Sequence, residues 1–182
     1  MDETTRPIKV AYADPPYIGC AKLYKDHPDY GGEVDHKQLI ERLCDEYPDG
    51  WALSCHTPSL RILLPMCPED VRVMAWVKPF CSFKPGVNPA YAWEPVLVRG
   101  GRKWARKEPD GTFNPTVRDW VSCSITLKKG LTGVKPEDVC HWLFRVLNLR
   151  EGDTMDDLFP GSGAVTRAWD SFIQQPDLFR GE

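Results

Sequence analysis

The chain has 182 residues, of which 42% are apolar and 27% are charged, and its formal net charge is −3. These values are typical of a water-soluble protein that folds as one domain, here residues 1–182, and they exclude a polycation that binds nucleic acid over its whole surface. The sequence contains no run of about 18 apolar residues, so we expect no membrane span. The polar, acidic first residues lack the pattern of a secretory signal, so we expect a cytoplasmic protein.

The seven cysteines are odd in number, and no two of them follow the Cys-x-x-Cys spacing. We therefore expect reduced thiols rather than a disulfide framework. Two Cys-His pairs occur, Cys55-His56 and Cys140-His141. We interpret both as packing or surface residues, because no further pair completes a tetrahedral set of ligands. The sequence predicts no metal site.

The first element is a short apolar strand that ends abruptly. Residues 10–13 suit a strand buried on both faces, and Asp14, Pro15, Pro16 and Tyr17 follow at once. Because proline has no N–H and a fixed φ, the ladder cannot continue and the carbonyls around Asp14 are left free. A carboxylate, a free carbonyl and an aromatic ring suit the exocyclic amino group of a flat base. The alternative is a plain turn on which Tyr17 packs, and this stretch alone does not decide between the two.

Strands and helices alternate through the next part of the chain. Residues 18–32 predict a long polar loop of the kind that covers a binding site. The elements predicted after it are a helix from 36 to 47 that Asp35 caps, a strand over 51–55, a helix that begins near 57–59, and strands over 71–77 and 91–98. This alternation predicts a doubly wound α/β sheet.

A basic stretch follows the fourth predicted strand. Its five cations surround one tryptophan: Arg99, Arg102, Lys103, Trp104, Arg106 and Lys107. Cations with an interleaved aromatic ring suit a phosphate backbone and a stacked base, so we predict that residues 99–130 form a short basic arm that contacts nucleic acid. The alternative is a solvated surface loop. Residues 112–126 predict either another strand or an extended arm.

A second motif lies near the end of the chain. A helix opens at Lys135-Pro136, with acids in its first turn. Residues 155–159 then predict a strand, which a glycine-rich turn at 160–163 joins to a last helix over 164–173. Glycines let a ligand approach the backbone closely, and the helix N-terminus offers free N–H groups to a carboxylate. The turn lacks the lysine of a phosphate-binding loop, and a plain glycine turn is the alternative.

Together the two motifs resemble those of the S-adenosylmethionine-dependent amino-methyltransferases of DNA. The signatures Asp-Pro-Pro-Tyr and Phe-x-Gly-x-Gly are matched by residues 14–17 and by Phe159, Gly161 and Gly163. The order, with the catalytic motif first and the cofactor motif last, is similar to that of the permuted beta group. Three further stretches fit the pattern of this group: Lys135-Pro136, Trp76-Val77-Lys78-Pro79 and Trp93-Glu94-Pro95.

The resemblance implies a Rossmann-like methyltransferase fold with a doubly wound, mostly parallel sheet, truncated to about five core strands. It implies methylation, with S-adenosylmethionine as cofactor, of a base flipped out of DNA, with Asp14, Pro15, Pro16 and Tyr17 as catalytic residues. The base would stack on Tyr17, and its amino group would bond to Asp14 and to the Pro15 carbonyl. Asp before Pro-Pro-Tyr favours adenine-N6 over cytosine-N4 in this family. The implied cofactor-binding residues are Ala13, Asp14, Lys135, Pro136, Asp157, Phe159, Gly161, Ser162 and Gly163.

One departure from the family pattern leaves alternatives open. Only about twenty residues follow Gly163, including a tail over 174–182 that we expect to be flexible, and neither Asp170 nor Asp177 ends a convincing strand that would bind the cofactor ribose. We therefore expect either weak binding of the cofactor, or a homodimer or a partner subunit that completes the site. The alternatives to a DNA adenine methyltransferase are a nucleic-acid-binding module that has lost the cofactor, and a methyltransferase of RNA adenine or of cytosine-N4.

Overall fold

The computed structural model describes residues 6–25, 30–80, 85–105, 107, 111–113, 116–125 and 134–174. The strands are β1 (Lys9–Ala13), β2 (Gly50–Ser54), β3 (Arg72–Val77), β4 (Trp93–Gly100), β5 (Trp120–Ser122) and β6 (Thr154–Asp157). The α-helices are α1 (His36–Glu46), α2 (Leu60–Leu63), α3 (Glu137–Val146) and α4 (Ala164–Gln174). Short 3₁₀ turns occupy Ala21–Tyr24, Thr57–Ser59 and Leu64–Met66. Of the helices described, none is both long and apolar enough to cross a membrane.

The strands form one mixed sheet in the order β5-β3-β4-β2-β1-β6. Strand β4 runs antiparallel to both of its neighbours, and the other three pairings are parallel. The predicted doubly wound, mostly parallel α/β fold is confirmed. The described sheet has six strands rather than about five, because β5 forms within residues 112–126. The sequence leaves a strand and an extended arm open for this stretch, because β5 is only three residues long and mostly exposed.

Helices cover both faces of the sheet, and each face has its own apolar cluster. On one face α1 and α2 pack through residues such as Leu43 and Leu63. On the other face α3 and α4 pack through residues such as Phe144 and Trp169. The side chains of β1 alternate between the two clusters, with Val10 and Tyr12 in one and Ala11 and Ala13 in the other. Such alternation explains why this strand is apolar at successive positions.

Local signals in the sequence set the helix ends. The Asp35 carboxylate accepts hydrogen bonds from the backbone N–H groups of Lys37 and Gln38 at 3.0 Å, so the predicted cap of α1 is confirmed. Helix α3 begins directly after Pro136, with two acids in its first turn. Both features match the preferences of helix N-termini.

Pairing of β1 with β6 brings the two sequence motifs together. Tyr12 lies opposite Asp157 in this parallel pair, and the Leu158 N–H donates to the Tyr12 carbonyl at 2.9 Å. The carboxyl edge of the sheet therefore carries both the Asp-Pro-Pro-Tyr motif, which follows β1, and the glycine turn, which follows β6. Strand β4 begins at this same edge because it runs the opposite way, with Trp93 opposite Val77 at the end of β3. The edge thus receives side chains from strands of both directions.

Candidate active site

The Asp-Pro-Pro-Tyr motif of residues 14–17 follows β1 directly and lies at the carboxyl edge of the sheet. Strand β1 ends at Ala13. Only Asp14 separates it from Pro15 and Pro16, which cannot continue the ladder. Pro15 is buried, whereas Asp14 and Tyr17 are partly exposed. The hydroxyl of Tyr17 lies 3.5 Å from Asp14 Oδ1. A carboxylate and a phenol therefore face the same small space.

Lys135 places its ammonium group among these acceptors. Its side chain is 6% exposed, and Nζ lies 3.1 Å from Asp14 Oδ1, 3.3 Å from Glu94 Oε2 and 3.3 Å from the Tyr17 hydroxyl. Nζ also lies 5.3 Å from the centre of the Trp76 ring. The resemblance implies a cofactor contact for Lys135, whereas its contacts in the structure are with the Asp-Pro-Pro-Tyr motif and its neighbours. An ammonium with three N–H donors here meets three oxygen acceptors.

Glu94 extends the cluster to a second lysine. Its carboxylate accepts a hydrogen bond from the Tyr17 hydroxyl at 2.8 Å and forms ion pairs with Lys135 and with Lys78. Lys78 lies in turn over the Trp76 ring, with Nζ 4.6 Å from the ring centre. The two acids and two lysines alternate in space, and we refer to Asp14, Lys135, Glu94 and Lys78 as the four-charge cluster. Its formal charge is zero, which lowers the cost of burying it.

The ionisation of this cluster depends on competition between burial and charge. Burial would raise the pKa of Glu94, but Lys135 and Lys78 outweigh it and hold that pKa at about 2. Burial would lower the pKa of Lys135, but the negative charges around it hold the pKa well above its usual range. Burial raises the pKa of Asp14, with Lys135 acting against it and Glu94 adding to it. Asp14 is therefore the member of the cluster whose charge is most easily lost on acidification.

His56 fixes the ring of Tyr17 from one side. The two rings stack with their centres 5.4 Å apart and their planes 10° apart. His56 follows β2, and its Nδ1 lies 2.6 Å from the Ser59 hydroxyl, which fixes the imidazole orientation. Stacking on one side, together with the hydroxyl contacts to Glu94 and Lys135, leaves Tyr17 little freedom to turn. An aromatic platform for a flat ligand needs this kind of restraint.

Three of these residues were not predicted as parts of the site. Glu94 and Lys78 were noted only as strand-end residues, and His56 was interpreted as a packing or surface residue. Each lies at the carboxyl edge: Lys78 follows β3, His56 follows β2, and Glu94 opens the antiparallel β4. The available signal was their position, because polar residues that follow buried strands of one sheet converge on the same edge.

The turn after β6 forms the second half of the site. Strand β6 ends at Asp157, two residues earlier than predicted, because the Asp157 carboxylate turns back to accept the Phe159 N–H at 3.3 Å. Gly161 and Gly163 have φ values of 45° and 69°, which favour glycine. A Cβ atom at Gly161 would meet nothing closer than a carbonyl oxygen at 3.8 Å. The turn therefore presents bare backbone at the edge of the sheet.

Asp157 offers an unused acceptor at this turn. Its Oδ2 is buried and accepts no hydrogen bond, and burial raises the pKa of the carboxyl to about 6. A buried oxygen without a donor is costly in the free protein. A ligand that brings a cationic or hydroxyl donor would satisfy it. The amino acid and ribose parts of S-adenosylmethionine carry such donors, so the residues present fit this cofactor.

The basic stretch divides into buried and exposed parts. Arg102 is 6% exposed, pairs with the buried Asp153 and donates to the Arg6 carbonyl at 2.6 Å. The prediction that Arg102 contacts nucleic acid is therefore wrong, because its guanidinium is used inside the protein. Arg99 belongs to the end of β4 and pairs with Asp70 at 2.8 Å.

The remaining predicted contacts of this stretch differ in how far the structure describes them. Lys103 and Trp104 are exposed. Lys107 is exposed as well, with its Nζ 4.6 Å from the centre of the Phe113 ring. Arg106 and most of the predicted flexible tail, from residue 175 onward, lie outside the described residues. Lys103, Trp104 and Lys107 are thus the members of the stretch that the structure shows at the surface.

Comparisons with known proteins show where the fold occurs elsewhere. No protein-family model and no curated protein sequence matches the chain. The crystal structure of M1.HpyAVI in complex with SAM aligns with a TM-score of 0.56 and 16% identity, over 91% of this chain and 78% of that one. The PvuII DNA methyltransferase, which is cytosine-N4-specific, aligns with a TM-score of 0.55 and 14% identity, over 92% and 72% of the two chains. At these identities the likeness establishes a shared fold, the fold of DNA methyltransferases.

Proposed function

We propose that this protein is an S-adenosylmethionine-dependent DNA methyltransferase that acts on the exocyclic amino group of a base. The observation that carries the proposal is the junction of β1 and β6. The Asp14 carboxylate and the Tyr17 ring follow β1, and the neighbouring strand β6 ends at Asp157, whose Oδ2 accepts no hydrogen bond, just before the glycine turn. A structural neighbour with this fold is a complex with SAM, which supports the choice of cofactor.

The residues after β1 would bind and activate the target amino group. A flipped base would stack on the restrained ring of Tyr17, and the Asp14 carboxylate and the Pro15 carbonyl would accept its two N–H donors. The amino lone pair is delocalised into the base, so this nitrogen is a poor nucleophile. Acceptors on both N–H groups draw the nitrogen toward tetrahedral geometry and stabilise the positive charge that develops on it. Catalysis would rest on positioning and electrostatics.

The residues after β6 would hold the cofactor. Asp157 offers its carboxylate, and Gly161 leaves room for close approach of the ligand to the backbone. When bound, the cofactor supplies an activated methyl group on a sulfonium ion. The protein's part is to hold that group in line with the nitrogen that Asp14 orients.

We further propose adenine-N6 as the target, with cytosine-N4 as the second candidate. The Asp at position 14, where the family pattern places either Asp or Ser, supports adenine. The likeness to the cytosine-N4-specific PvuII enzyme favours the second candidate, and its TM-score is close to that of the other neighbour. DNA contacts would come from the exposed residues Lys103, Trp104 and Lys107.

Mass spectrometry of nucleosides tests the proposal. The protein is incubated with DNA or RNA and isotope-labelled S-adenosylmethionine, and we expect label in N6-methyladenine from DNA. Label in N4-methylcytosine would instead establish the second candidate. No labelled nucleoside, together with calorimetry that detects no binding of S-adenosylmethionine, would contradict the proposal and favour a binding module.

Replacement of the acceptor tests the role of Asp14. We expect Asp14→Ala to abolish methyl transfer, a loss of about 100-fold or more, because the amino group loses the acceptor that orients it. The protein should still fold, since the Lys135 ammonium keeps Glu94 as an ion-pair partner, and thermal unfolding checks this. The exposed Asp45→Ala on α1 is the control with the same change of charge. Methylated DNA from Asp14→Ala at the wild-type rate would contradict the assigned role.

A further inference from the structure

Glu94 contacts three polar groups of the site. It binds the Tyr17 hydroxyl at 2.8 Å, the Lys135 ammonium at 3.3 Å and the Lys78 ammonium. Its side chain is 17% exposed, so these contacts are formed largely away from water. The steps of base binding described above do not use Glu94. A buried carboxylate with three polar partners, at the edge of the sheet that carries the proposed active site, is a candidate for a role of its own in the reaction.

Lys135 competes with the target base for the same oxygen. Its ammonium lies 3.1 Å from Asp14 Oδ1, the atom that would accept an N–H of the target amino group. Asp14 and Glu94 are the carboxylates within 4.0 Å of Lys135 among the described residues. When a base amino group takes the Asp14 oxygen, the ammonium keeps one carboxylate as long as Glu94 is present. Without Glu94 the ammonium would remain on Asp14, because an unpaired buried charge is very unfavourable.

We infer that Glu94 is a positioning residue for methyl transfer, which holds the Lys135 ammonium and the Tyr17 hydroxyl so that the Asp14 carboxylate is free to accept the target amino group. This inference rests on the proposed function, and it gives a role to a residue that is not among the catalytic and cofactor-binding residues implied by the resemblance. Glu94 acts through Asp14 and Tyr17 and does not itself touch the base.

A distinct pH signature follows from the charge of Glu94. This carboxylate raises the pKa of Asp14, so its removal should lower that pKa and leave Asp14 ionised to lower pH. The other groups whose charges act on Asp14 or respond to it lie in β1 and the loop after it, at the ends of β2 and β6, and in or directly before α3: Tyr12, Tyr17, Tyr24, Cys55, Lys135, Cys140 and Asp157. Lys78, which follows β3, acts on Glu94. Glu94→Gln removes none of these groups, and the Lys135 ammonium that then stays on Asp14 lowers the same pKa, so both effects shift it in one direction.

The kinetic test compares Glu94→Gln with wild type and with the exposed Glu41→Gln on α1. For Glu94→Gln we expect kcat to fall by about 10- to 100-fold, as when a catalytic group is misplaced. The acid limb of the kcat profile should move to lower pH by about one unit. KM for S-adenosylmethionine should stay unchanged, because Glu94 has no contact with the glycine turn. Glu41→Gln, with a side chain 59% exposed, should match wild type in all three.

Each other outcome overturns the inference. An unchanged kcat would show that Glu94 does not position the reacting groups. A loss of kcat with the acid limb in place would indicate a purely structural role. If Glu94→Gln does not fold, Glu94→Asp withdraws the carboxylate by one methylene, and wild-type kcat in that variant would also overturn the inference.

A measurement without turnover separates this inference from the proposed function. The Asp14 carboxyl carbon is followed by NMR on protein labelled at aspartate carboxyl carbons, with Asp14→Asn for assignment. We expect its titration midpoint to be lower in Glu94→Gln than in wild type, and an equal midpoint would overturn the inference. A wild-type protein that methylates no nucleic acid would overturn the proposed function, whereas the NMR comparison would still decide whether Glu94 controls Asp14.

Discussion

At the scale of one residue, Asp157 combines a proposed role in cofactor binding with a cost to stability. Its carboxyl has a pKa of about 6 because burial disfavours the charge, and its Oδ2 has no donor. A carboxyl whose pKa is raised on folding binds a proton in the folded state that the unfolded chain has already lost. Stability therefore falls as pH rises from about 4 through about 6. At neutral pH the residue destabilises the free protein.

The amide variant separates these two effects. We expect Asp157→Asn to raise the free energy of unfolding at pH 7 by roughly 2 kcal/mol, since the shift of pKa is about 2 units and the buried charge is removed. Binding of S-adenosylmethionine should weaken by about tenfold, which corresponds to one lost charge-assisted hydrogen bond. In wild type the affinity should rise with pH through about 6, and in Asp157→Asn this dependence should disappear. Chemical denaturation and calorimetry measure both quantities.

An unchanged pH dependence of cofactor affinity in Asp157→Asn would contradict the assignment. A lower free energy of unfolding in the variant would contradict the physical account of the carboxylate. The two measurements are independent, because denaturation is carried out without cofactor.

At the scale of the element, the basic stretch after β4 combines a structural and an exposed part. Its first residues end β4 and send Arg102 inward to Asp153, whereas Lys103 and Trp104 face solvent. The side chains of Arg102 and Asp153 are 3% and 0% exposed. Removal of one partner from such a pair leaves a buried charge without compensation. Neighbouring cations of one stretch therefore differ in what they do.

Substitutions along the stretch should separate stability from DNA binding. We expect Arg102→Met to lower the free energy of unfolding by about 3–5 kcal/mol, because Asp153 loses its partner. Trp104→Ala should retain stability and weaken DNA binding by about tenfold, the loss of one stacked base. Thermal unfolding and fluorescence anisotropy with labelled DNA measure the two effects. Equal DNA affinity in Trp104→Ala and wild type would show that this stretch is a solvated loop.

The elements also show why part of the site was predictable and part was not. Two parts of the site have local sequence signatures: the turn at residues 14–17 and the glycine turn at 160–163. Proline restricts the backbone and glycine relaxes it wherever they occur, so both turns can be predicted from the sequence. Glu94 carries no such signature. Its role depends on the reversed direction of β4, which brings the beginning of that strand to the edge where β1 and β3 end. Strand direction is a property of the assembled sheet. The sequence around Glu94 therefore does not show at which edge of the sheet this residue lies.

Prediction of Arg102 failed for a related reason. A cation in a basic stretch is usually solvated, and its neighbours in the chain supported that interpretation. Its partner Asp153 lies 51 positions away in the chain, so the pairing is visible only in three dimensions. The alternation of strands and helices, in contrast, was sufficient for the fold class, because it reflects burial on both faces of one sheet.

The whole molecule has a net charge of −3, which limits how it can attract DNA. The four-charge cluster is formally neutral, and Arg99 and Arg102 are paired with acids. Under the proposed function, affinity for DNA would come from local surface cations rather than from the general field of the protein. Specific contacts with the flipped base would then supply a larger share of the binding than the phosphates do.

The salt dependence of DNA binding tests this view. We expect the logarithm of the association constant to fall with the logarithm of salt concentration with a slope of about −2 to −4, as two to four phosphate contacts would give. Lys103→Ala should reduce the slope by about one. Anisotropy titrations over a range of salt concentrations give both values. A wild-type slope of about −8 or steeper would contradict the view that few cations are involved.

The four-charge cluster also has a consequence for how the chain reaches its native state. Its members come from positions 14, 78, 94 and 135, so no local segment can assemble it. The four charges stay hydrated until β1, β3, β4 and the start of α3 have met, and only then do they exchange water for one another. Contacts between residues so distant in sequence slow folding, because the entropy of closing long loops is lost before they form. The chemistry of the site therefore requires the assembled sheet, and no single segment of the chain carries it.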